Sequence, residues 1–169
     1  MCVAGVGYEP DGLNWNVKIS AVLGRSEGRL GLSKRPTNSD LAAIAVFAEC
    51  FEASGFLPGE WINPPPREDG VFVIGWWSPS DVVAKWHKAL YDHNIMDPDS
   101  DYLGKPNVEF VRRVTDDPSL ITDSDLSSVR RVLTYLARAE RHTGGGPFEE
   151  AFGSGMAQAA TRRLGELSE

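Results

Sequence analysis

An apolar stripe at Leu126, Val129, Leu133, Leu136 and Ala137 runs into three consecutive glycines, Gly144, Gly145 and Gly146. Steps of three and four residues put that stripe on one side of an α-helix, which must bury it against neighbouring elements. The glycines end the helix, because only a residue without Cβ enters the left-handed conformation beyond a C-cap at little cost. Thr122 or Ser124 is the expected N-cap, with Asp123 and Asp125 complementing the positive end of the helix dipole. This is the longest helix the pattern allows, and the rest of the fold has to pack around it.

Helical partners are legible on both sides. Asn38 and Ser39 can cap a helix that buries Leu41, Ile44, Phe47, Ala48 and Phe51, turns Glu49 and Glu52 outward, and stops near Gly55. Ser78 reads as an N-cap with Pro79 at the first helical position, before Val82, Val83, Trp86, Ala89 and Leu90; that helix ends near His93. A short helix around Val108, Val111 and Val114 is broken at Asp116, Asp117 and Pro118. Beyond the glycines, Phe148 and Phe152 suit one more turn against the core, and Gly155 opens a last helix through Met156, Ala160, Leu164 and Leu167.

Strand periodicity appears at Leu13, Trp15, Val17, Ile19, Ala21 and Leu23, which alternate with polar residues. Leu30 and Leu32 suggest a short return strand, and Val71 to Trp77, between Gly70 and Pro79, suggests a third. Residues 56–69 read as a loop with a polyproline-like stretch at Pro64, Pro65 and Pro66. The expected fold is α+β and predominantly helical. A small antiparallel sheet drawn from about 13–33 and 71–77 packs on a body of four to six helices. Residues 1–169 are expected as a single domain, with 1–36 a strand-rich or partly ordered N-terminal extension.

Hydrophobic residues at 41% and charged residues at 24% are ordinary for a globular chain, so one core suffices. The net charge of −7 argues against a protein that coats nucleic acid, since such binding relies on lysines and arginines that neutralise phosphates. Cys2 and Cys50 cannot build a disulfide framework or a four-ligand zinc site. No run approaches the ~20 apolar residues of a membrane span, and the N-terminus lacks the plan of a secretory signal. The expected location is cytoplasmic.

Chemistry is sparse. Arg131, Arg138 and His142 recur at steps of seven and four, with Arg141 beside them, so they share roughly one face of the long helix. Guanidinium groups so placed can grip a phosphate or carboxylate in bidentate fashion. The plainer expectation is a helix-end dipole effect with salt bridges to Glu149, Glu150 or nearby aspartates. The glycine run is not a phosphate cradle: it follows a helix, no Lys-Ser/Thr follows it, and Pro147 removes an amide.

Asp97-Pro-Asp-Ser-Asp101 copies positions 1, 3 and 5 of a calcium loop but places Tyr102 and Val108 where glycine and glutamate are needed. His87, His93 and His142 match no metal or triad signature. Trp61, Phe72, Trp76, Trp77 and Trp86 lie where strand meets helix and are expected in the core rather than as a base-stacking platform. No catalytic set, metal site or cofactor is expected.

Leu90-Tyr91-Asp92, Leu133-Thr134, Arg138-x-x-Arg141, Gly145, Gly155 and Arg163-Leu164 together carry a resemblance over about residues 61–167. The chain there resembles an uncharacterised domain family of unknown function found in bacteria and their phages. In that family an aromatic residue usually follows the second arginine, where this chain has His142. The resemblance implies a helical domain and assigns no activity. The function expected is therefore non-enzymatic: binding or regulating another protein through the arginine-bearing helix end or through the acidic loop at 96–106. The alternative is an enzyme or sensor that holds a phosphate-like or nucleotide-like anion among Arg138, Arg141, His142 and Glu149.

Overall fold

The structure, a computed structural model, describes residues 35–70, 73–97, 100–143 and 145–169. The alternating segment Leu13–Leu23 and the return at Leu30 and Leu32 lie outside the described residues. Among these residues the order is α1 (Asn38–Phe51), β1 (Gly59–Ile62), β2 (Trp76–Pro79), α2 (Asp81–Asp92), α3 (Lys105–Asp116), a 3-10 turn (Pro118–Ile121), α4 (Leu126–Thr143), α5 (Gly146–Ser154) and α6 (Met156–Glu166). The fold is predominantly helical α+β, as the periodicities require.

Caps set the ends of the elements. Thr37, one residue earlier than expected, caps α1 reciprocally: its hydroxyl accepts from the Asp40 amide, and the Asp40 carboxylate accepts from the Thr37 amide at 2.9 Å. Ser80 rather than Ser78 caps α2, because Pro79 is drawn into β2 and lies outside the helix. Asp125 takes the place expected of Thr122 or Ser124 at α4; its carboxylate accepts from the Ser128 amide at 2.8 Å and its carbonyl from the Val129 amide. The bonds from Ser128, its amide first and then its hydroxyl, hold the Asp125 carboxyl below the usual carboxylate range.

The sheet differs from the expected one. β1 falls inside the segment expected to be a loop and pairs antiparallel with β2, Trp61 facing Trp77 and Ile62 facing Trp76. Residues opposite each other in such a pair share a face. Trp61 and Trp77 therefore share one face, on which Trp77 is 5% exposed, while Ile62 and Trp76 share the other. Of the aromatic cluster expected in the core, Trp77 and Trp86 are buried, whereas Trp61 and Trp76 remain 46% and 44% exposed. Phe72 lies outside the described residues.

Below the sheet, Phe47 and Phe51 of α1, Trp86 of α2 and Phe148 and Phe152 of α5 form one buried cluster. Phe51 meets Phe152 edge-on at 5.0 Å and Trp86 at 5.8 Å, the arrangement that ring quadrupoles favour. Helix α6 lies antiparallel to α1, since Ala45 neighbours Gly165 while Glu52 pairs with Arg162. A Cβ on Gly165 would stand 3.1 Å from that of Ala45, so the glycine lets the two backbones approach. Helix α4 buries Val129, Val132, Leu133, Leu136 and Ala137 against this body, which leaves its arginines on the side that carries the 95–104 segment.

Candidate functional site

Four bonds from two arginines of α4 hold the segment that follows α2. Arg130 donates from Nε to the Ile95 carbonyl at 2.9 Å and from Nη2 to the Met96 carbonyl at 2.8 Å. Arg138 donates from Nη2 to the Asp97 carbonyl at 3.1 Å and from Nη1 to the Ser100 carbonyl at 3.3 Å. Thr134, fully buried between them, accepts the Asp97 amide at 2.9 Å. Hydrogen bonds to charged groups contribute about 1.5–3 kcal/mol each where solvent is restricted. Ile95 anchors the start of the segment in the core with no exposed surface.

Three arginines of α4 also rest on rings. The Arg138 guanidinium lies 5.2 Å from the centre of Tyr102, Arg131 lies 5.8 Å from Phe110, and Arg141 lies 4.8 Å from Tyr91. Carbonyls and aromatic faces thus occupy the places where salt bridges to Glu149 and Glu150 were expected. A guanidinium offers five donors in a rigid fork, which suits it to bond several carbonyls of a neighbouring chain segment at once.

At the end of α4 a second polar group forms. The Ala137 carbonyl accepts from the Tyr91 hydroxyl at 3.2 Å and faces His87 Nε2 at the same distance. A carbonyl only accepts, so Nε2 carries the proton and His87 is read as this neutral tautomer. Burial, and to a lesser degree the Arg141 charge, lowers its pKa, while the bond to Ala137 opposes both. Its ring stands perpendicular to Phe148 at 4.9 Å.

Gly145 then reverses the chain with φ +108°, and a Cβ there would lie 2.3 Å from Trp77 Cβ. As the N-cap of α5 it has no side chain to offer. Glu140 of α4 reaches over and accepts the Phe148 amide in its stead, and burial raises the pKa of its carboxyl.

The structure distributes the site residues expected from sequence. Arg138 is partly buried and tied to the 95–102 segment, and Arg141 is exposed above Tyr91. Residue 142 falls within α4, but the His142 side chain lies outside the described residues. Glu149 stands on α5, where its carboxylate accepts Trp61 Nε1 at 2.7 Å and pins the sheet to the helical body. Among the described residues no group of three or more histidine, cysteine, aspartate or glutamate side chains comes together as a metal cluster. No helix among them is long and apolar enough to cross a membrane.

Sequence reasoning missed Arg130, Tyr102 and Asn107. At about 100° per residue, Arg130 stands roughly 20° from Arg141 around α4, so the spacing that gathered Arg131, Arg138 and Arg141 could have included it. Only the course of the 95–104 segment reveals that both arginines reach it.

Among the described residues, fold and site together define a helical α+β unit that carries a two-stranded sheet and an arginine-clamped acidic segment. The chain belongs to a family of unknown function (DUF6508), whose model matches residues 36–169. No curated protein and no solved structure matches it.

Proposed function

We propose that this chain is a non-enzymatic interaction protein that recognises a basic partner protein through residues 95–104. The observation that carries this reading is the arginine clamp, in which Arg130 and Arg138 bond four carbonyls of that segment. Carbonyls of 95, 96, 97 and 100 already fixed in place avoid part of the ordering cost of binding, about 0.5–1.5 kcal/mol for each side chain that would otherwise be immobilised. Asp97 and Asp101 give it an acidic character within a chain of net charge −7, which favours a basic surface and speeds encounter with it. A cytoplasmic setting and a bacterial or phage provenance belong to the same proposal.

The alternative, an enzyme or sensor for an anionic small molecule, draws support among the described residues from Arg141, which is exposed. Arg138 is committed to carbonyls and Glu149 to Trp61. Cross-linking of the full chain in an extract of its host, with mass-spectrometric mapping, tests the proposal. Cross-links concentrated at 95–104 are expected, with recovery of the partner lowered about fivefold in D97N/D101N of unchanged circular dichroism. Equal recovery by the variant, or cross-links concentrated on the sheet, overturns it.

A further inference from the structure

The β1–β2 pair has two unlike edges. The Ser80 amide donates to the Pro58 carbonyl at 2.8 Å, one step beyond the Gly59↔Pro79 end of the register. Bonded and unbonded pairs alternate along an antiparallel ladder, so Glu60 and Ile62 bond to β2 while the N–H and C=O of Gly59 and Trp61 point away from it. On β2 the outward positions are Trp77 and Pro79. Proline has no N–H, and a Cβ on Gly145 would stand 2.9 Å from the Trp77 carbonyl oxygen, so the chain at Gly145 closes that edge. Beyond the ladder, no backbone bond among the described residues involves Gly59 or Trp61, and Trp61 is 46% exposed. An open edge of this kind is a template for one more strand.

We infer that the β1 edge receives residues 13–23 of the same chain as a third strand. That segment lies outside the described residues. Its odd-numbered positions from Leu13 to Leu23 are apolar, with Asn14, Asn16, Lys18 and Ser20 between them. A strand with one apolar side needs a neighbour that supplies both backbone partners and a surface to cover. The sequence alone pairs this segment with residues 71–77; the closed edge of β2 directs it to β1.

Both sides of the new strand find a match there. The face shared by Trp61 and Trp77 meets α5, through the Trp77–Phe148 ring contact and the bond from Trp61 to Glu149, and the apolar positions cover the open flank of Trp61 on that face. The polar positions fall on the side of Glu60. Lys18 is the one charged residue among 13–23, and its sign is opposite to that of Glu60.

The tether is long enough. Helix α1 is about 21 Å long, and Phe56 lies against Phe51 at its end, ring centres 5.2 Å apart, so β1 starts near the end of α1 remote from Thr37. The 14 steps from Leu23 to Thr37 span up to about 46 Å, roughly twice that length. A linked strand meets the edge at a high effective concentration, which a second copy or a separate protein has to match.

Amide hydrogen exchange and isotope-filtered NOE spectroscopy on the full chain test this. The Gly59 and Trp61 amides are expected to exchange about tenfold more slowly than those of Arg67 and Glu68 in the following loop, and the Trp61 amide to show NOEs to residues 13–23 of its own molecule. Val17→Pro should speed exchange at Gly59 and Trp61 about tenfold, while Glu60 and Ile62, bonded to β2, change by less than about twofold. Glu60→Lys, which sets a like charge beside Lys18, should speed the same two amides about threefold.

Gly59 and Trp61 amides that exchange as fast as the loop overturn the inference, and so does a Val17→Pro chain in which they stay protected. NOEs that pass only between labelled and unlabelled molecules assign the edge to a second copy and overturn the strand from the same chain. If Val17→Pro unfolds the helices as well, the NOEs of the unaltered chain decide, and their absence overturns the inference. Residues 95–104 take no part in these readouts, so the docking role proposed for them stands or falls separately.

Discussion

The two sides of α4 are held by opposite kinds of force. On one side α1, α2, α5 and α6 close over a cluster of Phe47, Phe51, Trp86, Phe148 and Phe152, where every ring meets others and water is excluded. On the other side residues 95–97 and 100–104 have Ile95 and the partly buried Met96 as apolar anchors and are kept in place by Arg130, Thr134 and Arg138. Burial of apolar surface is non-directional and sums over the whole domain, whereas each guanidinium bond fixes a particular carbonyl. The first side determines whether the chain folds; the second determines the shape one segment shows to solvent.

That contrast predicts a graded set of losses. Phe152→Ala removes a ring that touches Phe51, Phe56, Trp86 and Phe148, and should lower the unfolding free energy by about 3–5 kcal/mol in urea denaturation. Arg130→Ala should cost about 1.5–3 kcal/mol, and most of the change should appear as faster amide exchange at residues 95–97. A global loss as large as that of Phe152→Ala, with no local signature, would erase the distinction between the two sides.

The smallest effect is expected at the junction of the two sides. His87 titrates in the folded state below its ordinary value of 6.5, so the unfolded chain takes up the proton first as pH falls. Its contribution is complete above pH 6.5 and is lost as the pH drops toward the folded-state value. His87→Gln should flatten the stability profile across that acid window, as read from thermal melts between neutral and mildly acid pH. A slope unchanged in the variant would place the proton uptake at another group.

Much of the aromatic side was legible from residue spacing. The apolar positions of α1, α2, α4 and α6 recur at helical intervals, and those positions are buried apart from Leu126 and Leu167, which are half-buried at the edge of the core. The resemblance to a family of unknown function stands in that coarser form, with the match to residues 36–169 extending further toward the N-terminus than the segment at 61–167. The sheet was less legible, because β1 spans only Gly59–Ile62 and lies among prolines and glycines whose local signal is that of a loop. The arginine clamp was illegible in detail. A guanidinium that bonds main-chain carbonyls leaves no imprint on the identity of the residues it holds, so Ile95, Met96 and Ser100 give no hint of Arg130 or Arg138.

The bond between Trp61 and Glu149 joins residues 88 apart in the chain. An isolated two-stranded ribbon is marginal in water, so this one owes its persistence to Trp77 sunk against Phe148 and to that distant tether. Both attachments lie on α5. A fragment that stops at Thr143 would therefore shed two helices and unmoor the strands, which makes the last 26 residues a prerequisite for architecture encoded far upstream.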